Sequence, residues 1–297
     1  MGKIQIFIGK GGVGKSTSSS LFAVRSSEEG TITLLDSFDP AHNLHDIFET
    51  KFSGKEKKVL NNLFVRETDM NKISQSYMKS VKKNLKSLYH YQQALNIDKY
   101  FNILKFAPGM EEYAAWLALE ACYDDTHFDH IIIDTPPTAL TMKTLALSSV
   151  NLLWLRQLEA MRKEIIEKKN SVGRIRKENL DQLDDDPVYI RLQKMKTRYE
   201  KMLRELQDRE RTEIVLILNE DELSFSESIQ IKEDLTKLGI SIARVIINKG
   251  EISSIRTKAI AREFVESEID IIEDYGQSIT GFDDLKEHSQ QIQRVEK

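Results

Sequence analysis

The run Ile4-Gln5-Ile6-Phe7-Ile8 leads without interruption into Gly9-Lys10-Gly11-Gly12-Val13-Gly14-Lys15-Ser16-Thr17. The spacing G-x-x-x-x-G-K-[ST], after a strand-like run and before a helix-compatible segment, defines a phosphate-binding loop. It constrains the fold because a strand must deliver the glycines to a helix N-terminus, where free amides and the helix dipole favour negative charge. Gly11, Gly12, Val13, Gly14, Lys15, Ser16 and Thr17 are the expected phosphate cradle. Lys15 reaches the β- and γ-phosphates, and the Ser16 hydroxyl is placed to hold Mg²⁺. A chain of this kind is expected to bind a nucleotide.

Further apolar runs, each short enough for a buried strand, recur at Ile32–Leu35, Ile103–Ala107, Ile131–Asp134, Ile214–Leu218 and Ile242–Ile247. Strand runs alternating with helical stretches predict an α/β fold, a mostly parallel sheet flanked by helices. Ligands of such sheets sit at the carboxyl ends of the strands, where the distinctive motifs fall here. Two stretches break the alternation. Residues 55–100 read as polar, Lys-rich and helical. Residues 152–211 form a longer interruption, with Asp184-Asp185-Asp186-Pro187 as a break between two helices. The predicted organisation is a nucleotide core in two parts, 1–150 and 212–297, around an inserted helical subdomain at 151–211.

The second half of the insert spaces Leu192, Met195, Tyr199, Met202 and Leu206 as one helical seam, and the first half offers Leu155, Leu158, Met161, Ile165 and Val172. A hairpin burying one seam on the other is the economical expectation. It would leave little apolar surface for a client.

The chain has 297 residues, long enough for one large α/β domain with an insertion. Its formal charge of −4 gives no general pull toward nucleic acid or anionic membrane, although the insert itself is basic. No run approaches the roughly 18 apolar residues of a membrane span. The first strand starts at once, so no secretory leader is expected. Cys122 is the single cysteine, so an intrachain disulfide is excluded and a cytoplasmic setting is expected.

Lys10 inside the phosphate loop makes it resemble the deviant Walker A class, K-G-G-V-G-K-[ST]. Asp39-Pro40-Ala41-His42-Asn43-Leu44 resembles the switch I motif of the branch containing the ArsA arsenite-pump ATPase and the ATPases that target tail-anchored membrane proteins. Pro108-Gly109-Met110-Glu111-Glu112 and Asp134-Thr135-Pro136-Pro137-Thr138 are similar to two further motifs of that branch. The resemblance covers the nucleotide core on both sides of the insert, but not the insert. It implies a Mg²⁺-dependent, ATP-hydrolysing homodimeric switch meeting through the nucleotide face. In it Lys10 reaches the partner's phosphates, Asp39 orients the attacking water, and Ser16 and Asp134 serve Mg²⁺. Thr138 follows the γ-phosphate and Asn248 reads adenine. A protein client or membrane partner at the insert is also implied.

The departures are informative. Targeting ATPases of eukaryotes staple their dimer with a zinc-binding C-x-x-C pair, which a single cysteine cannot supply. The same count disfavours metalloid capture by thiolates. Thr138-Ala139-Leu140-Thr141 replaces the family's usual P-T-G-H-T continuation of switch II. Cys122 reads as a small core residue, His42 and His45 as switch and surface residues rather than metal ligands, and Lys79–Lys86 as a solvated helix face. The competing functions are a ParA/MinD-like positioning ATPase and an arsenite-pump energiser. The polar tail at 281–297 disfavours a membrane helix of the MinD kind.

Overall fold

The structure is a computed structural model and describes residues 2–41, 43–88, 107–177, 180, 182–276 and 278–295. The apolar run at the N-terminus becomes β1 (Lys3–Ile8), buried at every residue after Lys3. It lies at the middle of a nine-stranded sheet. β2 (Thr33–Ser37), β4 (Leu63–Glu67) and β5 (His130–Asp134) lie on one side of it. β6 (Thr212–Asn219), β7 (Ile242–Asn248) and β8 (Glu268–Ile272) lie on the other, giving the order β4-β2-β5-β1-β6-β7-β8 with every pair parallel. Two short antiparallel strands, β3 (Lys57–Lys58) and β9 (Gln293–Arg294), close the edges.

Because side chains alternate across each strand, the sheet builds two cores. Phe7, Leu35, Ile132, Val215 and Ile246 meet α1 (Lys15–Glu28), α2 (Leu44–Ile47) and α9 (Gly281–Gln290) on one face. Ile6, Leu34, Ile133, Leu216 and Ile247 meet the other helices on the opposite face. These are α4 (Met110–Asp124), α5 (Thr138–Arg176), α6 (Pro187–Gln207), α7 (Glu222–Lys237) and α8 (Ile255–Glu263), with α3 (Met70–Leu88) beyond α4. The α/β architecture, with its mostly parallel sheet flanked by helices, is therefore as expected. The run Ile103–Ala107 lies outside the described residues except for Ala107, and so does His42.

Four strands were not anticipated: β3, β4, β8 and β9. The stretch at 55–100 is not helical throughout, since β3 and β4 precede α3. β4 alternates buried Leu63 and Val65 with half-exposed Phe64 and Arg66, a five-residue pattern hidden in a polar context. β8 carries Glu268 and Asp270 between its isoleucines, and these carboxylates bind Arg244 of β7 and Arg294 of β9.

Arg66 also explains a buried charge. It donates two hydrogen bonds to Oδ2 of the fully buried Asp36, at 3.1 and 2.6 Å, while Thr68 donates to Oδ1 at 2.6 Å. Burial pushes the Asp36 carboxyl up, opposed by Arg66 and Thr68. Cys122 lies against the same carboxylate, buried as expected, and its thiol is pushed well above the usual range by burial. Arg66→Met should cost about 3 kcal/mol in urea denaturation, because it strands the Asp36 charge, whereas Asp36→Leu with Arg66→Met should cost far less. Equal losses for the two variants would show that charge pairing is not what matters at this position.

The helical insert differs most from expectation. α5 is one continuous 39-residue helix, roughly 58 Å long at the usual rise, and it passes position 151 without a break. The turn falls at Asp184–Pro187, where Asp186 caps α6 by accepting from the Tyr189 amide and Pro187 occupies the first turn. The two helices do form a hairpin, but its contact line is largely polar. Arg162 binds Asp186 through two bonds of 2.9 and 2.6 Å, and Glu159 binds Lys163 and Lys196. The Lys163 hydrogen bond, with Lys196, holds Glu159 down to about 2.

The expected packing of one seam on the other is therefore overturned. Leu155, Tyr199, Met202 and Leu206 are buried near the sheet, where Tyr199 packs on Trp116 with ring centroids 4.9 Å apart. Leu158, Met161, Ile165 and Val172 are instead 44, 58, 50 and 47% exposed, and Met195 is 39% exposed. Ion pairs occupy the line between the helices, so the distal apolar seams turn outward.

Candidate functional site

β1 ends where Gly9 must pass close to β6, since a Cβ on Gly9 would lie 2.3 Å from the Ile217 carbonyl oxygen. The chain then turns through Gly12 (φ +83) and Gly14 (φ +90) into α1. A Cβ on Gly14 would also meet the Asn248 amide nitrogen at 2.5 Å. Asn248, at the end of β7, donates from that nitrogen to the Val13 carbonyl at 2.8 Å. The strand two places from β1 thus pins the loop.

The loop opens onto a cleft of about 810 Å³ at the carboxyl end of the sheet. Gly11, Gly12, Gly14, Lys15, Ser16 and Thr17 line one side, with Asp39, Asn43, Asp46 and Pro137 nearby. Asn248, Lys249, residues 272–276 and residues 278–280 form the far wall. Lys15 is buried, and its ammonium donates to the Gly9 and Lys10 carbonyls at 3.1 and 3.4 Å. Burial lowers its proton affinity, and the charges of Asp134, Asp39 and Glu227 oppose that.

At the foot of the loop, Asp134 is completely buried at the end of β5. Its Oδ2 accepts from Ser16 at 2.7 Å and from Ser37 at 3.2 Å. Its Oδ1 is buried with no hydrogen-bond partner among the described residues. Burial pushes this carboxyl up to about 6, with the Asp39 charge adding to the shift and Ser16, Lys15 and Ser37 opposing it. A hydroxyl and a carboxylate in contact, with one carboxylate oxygen unpaired, make a donor set suited to a hard divalent cation.

Asp39 sits on a turn held by two bonds: its amide donates to Ser37 Oγ at 3.2 Å, and its Oδ1 accepts from the Ala41 amide at 2.9 Å. Thr138, at the first turn of α5, donates to the Gly9 carbonyl at 2.8 Å. The fold thus gathers Lys15, Ser16, Thr17, Asp39, Asp134, Thr138 and Asn248. Two candidate residues stand apart. The Val13 side chain is buried in the core, so only its backbone faces the loop. Lys10 is half-buried and does not line this cleft.

Ser37 and the wall at 272–280 were missed. Ser37 ends β2 with no motif to mark it, and the wall depends on β8, whose acidic alternation concealed it.

The sequence pattern of the anion-transporting ATPase family matches residues 2–296. The Aquifex aeolicus protein named "Putative arsenical pump-driving ATPase 2" is 30% identical, over 97% of this chain and 98% of its own length. The Schizosaccharomyces pombe protein "ATPase get3" is 28% identical over 82% of this chain and 72% of its own. The Paramecium tetraurelia protein "ATPase ASNA1 homolog 2" is also 28% identical, over 82% and 75%. With the glycine loop, Lys15 and the Asp39 turn gathered on one cleft, and with the family pattern spanning nearly every residue, the chain belongs to the ArsA family of anion-transporting ATPases.

Proposed function

We propose that the protein is a Mg²⁺-dependent ATPase that acts as a homodimeric switch in the cytoplasm. The observation that carries this reading is the group of Ser16, Ser37 and Asp134, with its unpaired Oδ1, joined directly to the start of the long helix α5. Gly11 to Thr17 cradle the phosphates, and Lys15 leaves its loop carbonyls to meet them. Ser16 and Asp134 would hold Mg²⁺, which would supply positive charge to the phosphates. Asp39 orients the attacking water and accepts its proton.

Thr138 exchanges the Gly9 carbonyl for the γ-phosphate. Because Thr138 starts α5, that exchange moves a rod reaching from the cleft to the hairpin tip, a switch-loop device for coupling phosphate state to shape. Lys10, which does not line its own cleft, serves the partner's phosphates across the dimer. The adenine lies toward Asn248, whose Oδ1 remains for it while the amide nitrogen holds the loop. The inserted subdomain carries the load, a protein client or membrane partner. Its uncovered apolar residues remove the objection that a closed hairpin would leave no surface for one.

Asp39→Asn should lower kcat by about 100-fold or more while ATP binding persists, since only the water-handling group is lost. Steady-state hydrolysis with Mg²⁺ or with EDTA, alongside light scattering with ATP or ADP, reads both parts of the proposal. Unchanged turnover in Asp39→Asn would remove its assigned role, and a monomer with ATP would remove the dimer.

A further inference from the structure

The distal hairpin carries an apolar face that the ATPase core does not use. On α5, Trp154, Leu158, Met161, Ile165, Val172 and Ile175 follow strict 4-3 spacing, with Lys168 in the one remaining position. Trp154 and Ile175 are 66 and 84% exposed. Glu159 and Arg162, which bond Lys196 of α6 and its cap Asp186, and the buried Ile166 each lie one position after a member of this stripe. The stripe is therefore rotated about 100° from the contact line.

The same offset recurs on α6. The exposed Val188 and Met195 each precede a contact residue, Tyr189 and Lys196, by one position. The helices run antiparallel, since Arg162 meets Asp186 while Glu159 meets Lys196. Equal offsets of the same sign on antiparallel helices point to the same side of the hairpin. The two stripes thus form one face.

That face is punctuated by cations. Lys168 occupies the stripe position between Ile165 and Val172, and Arg191 lies between Val188 and Met195 in the same 3-4 register. Lys168 reaches Glu164 at 2.5 Å, an exposed pair that constrains it little. Residues 150–177 hold eight Lys or Arg against three Glu, and α6 holds six against two, in a chain whose net charge is −4. The connecting sequence 178–186 holds five further acids.

We propose that this face docks side-on to a membrane surface bearing anionic headgroups. An amphipathic helix with Trp and aliphatic residues on one side and Lys/Arg on the other is suited to the lipid interface. Lys168 and Arg191 reach phosphates along their apolar stems, as cations do at that boundary. The alternatives fit less well. Two copies of this face would set cation against cation, and an apolar client helix would bury Lys168 and Arg191 against a surface that offers no counter-charge. No described helix is long and apolar enough to cross a bilayer, so the contact is peripheral.

The test uses the full chain with vesicles of phosphatidylcholine alone or with phosphatidylserine, without nucleotide, so that it stands apart from the ATPase assignments. Trp154 is the reporter, because the only other tryptophan, Trp116, is fully buried. Co-sedimentation and a blue shift of emission are expected with phosphatidylserine vesicles only, weakening as salt is raised. Met161→Asp with Ile165→Asp, and separately Lys168→Glu with Arg191→Glu, should each weaken binding by about tenfold or more. Helix content and ATP hydrolysis should be unchanged in both variants. Three results overturn the proposal: no binding to either vesicle, equal binding to both, or a blue shift without vesicles that follows protein concentration or an added apolar peptide.

Discussion

Asp134→Asn is expected to stabilise the protein without ligand and to abolish Mg²⁺-dependent hydrolysis. Burial pushes the Asp134 carboxyl up to about 6 from an ordinary value of 3.8. A carboxyl raised on folding opposes the folded state wherever it is ionised, so above pH 6 it costs about 3 kcal/mol. As pH falls from 6 toward 3.8, the folded state takes up the proton first and the cost disappears. The variant's advantage in chemical denaturation should therefore be about 3 kcal/mol at pH 7.5 and vanish near pH 4. The penalty at neutral pH is what a bound cation would offset, so added Mg²⁺ and ATP should stabilise the natural protein and leave the variant unmoved. Equal stability of the two proteins at pH 7.5 would mean that Asp134 is not strained in the ligand-free fold.

Lys10→Ala should lower kcat by about 1,000-fold or more, with little change in ATP affinity. Lys10 sits in the phosphate loop, yet its side chain does not line the cleft of its own chain; the loop's interior cation is Lys15. In the proposed dimer, a cation so placed contributes through the second copy. Mixing Lys10→Ala with Asp39→Asn protein provides the decisive measurement. A mixed dimer has one site with an intact Asp39 that receives the partner's intact lysine, so hydrolysis should return on mixing two inactive proteins. No recovery, with mixed dimers demonstrated, would place Lys10 in its own site or outside catalysis.

Parts of this machinery were legible because their signals are local. The strand–loop–helix order around Gly9 to Thr17 follows from residues within one short segment, and the strands ending at Asp134 and Asn248 each carry three successive apolar residues before that end. β4 and β8 were not legible in the same way. Arg66 in one and Asp270 in the other look like surface residues until the structure brings Asp36 to the first and Arg244 to the second. Ser37 likewise gains meaning only from Asp134, 97 positions away.

The sequence by itself determined the phosphate loop, the family and the parallel α/β core, because glycine geometry and buried apolar runs act over a few residues. It also marked a break at Asp184–Pro187 between two amphipathic helices, although the first of them begins at Thr138 rather than near 152. Which way their apolar seams point was decided by the tertiary structure alone. Periodicity places residues around a helix but does not say where the neighbouring helix sits. Here Arg162–Asp186 and Glu159–Lys196 take the line between the helices, and the seams that spacing would pair are left facing outward.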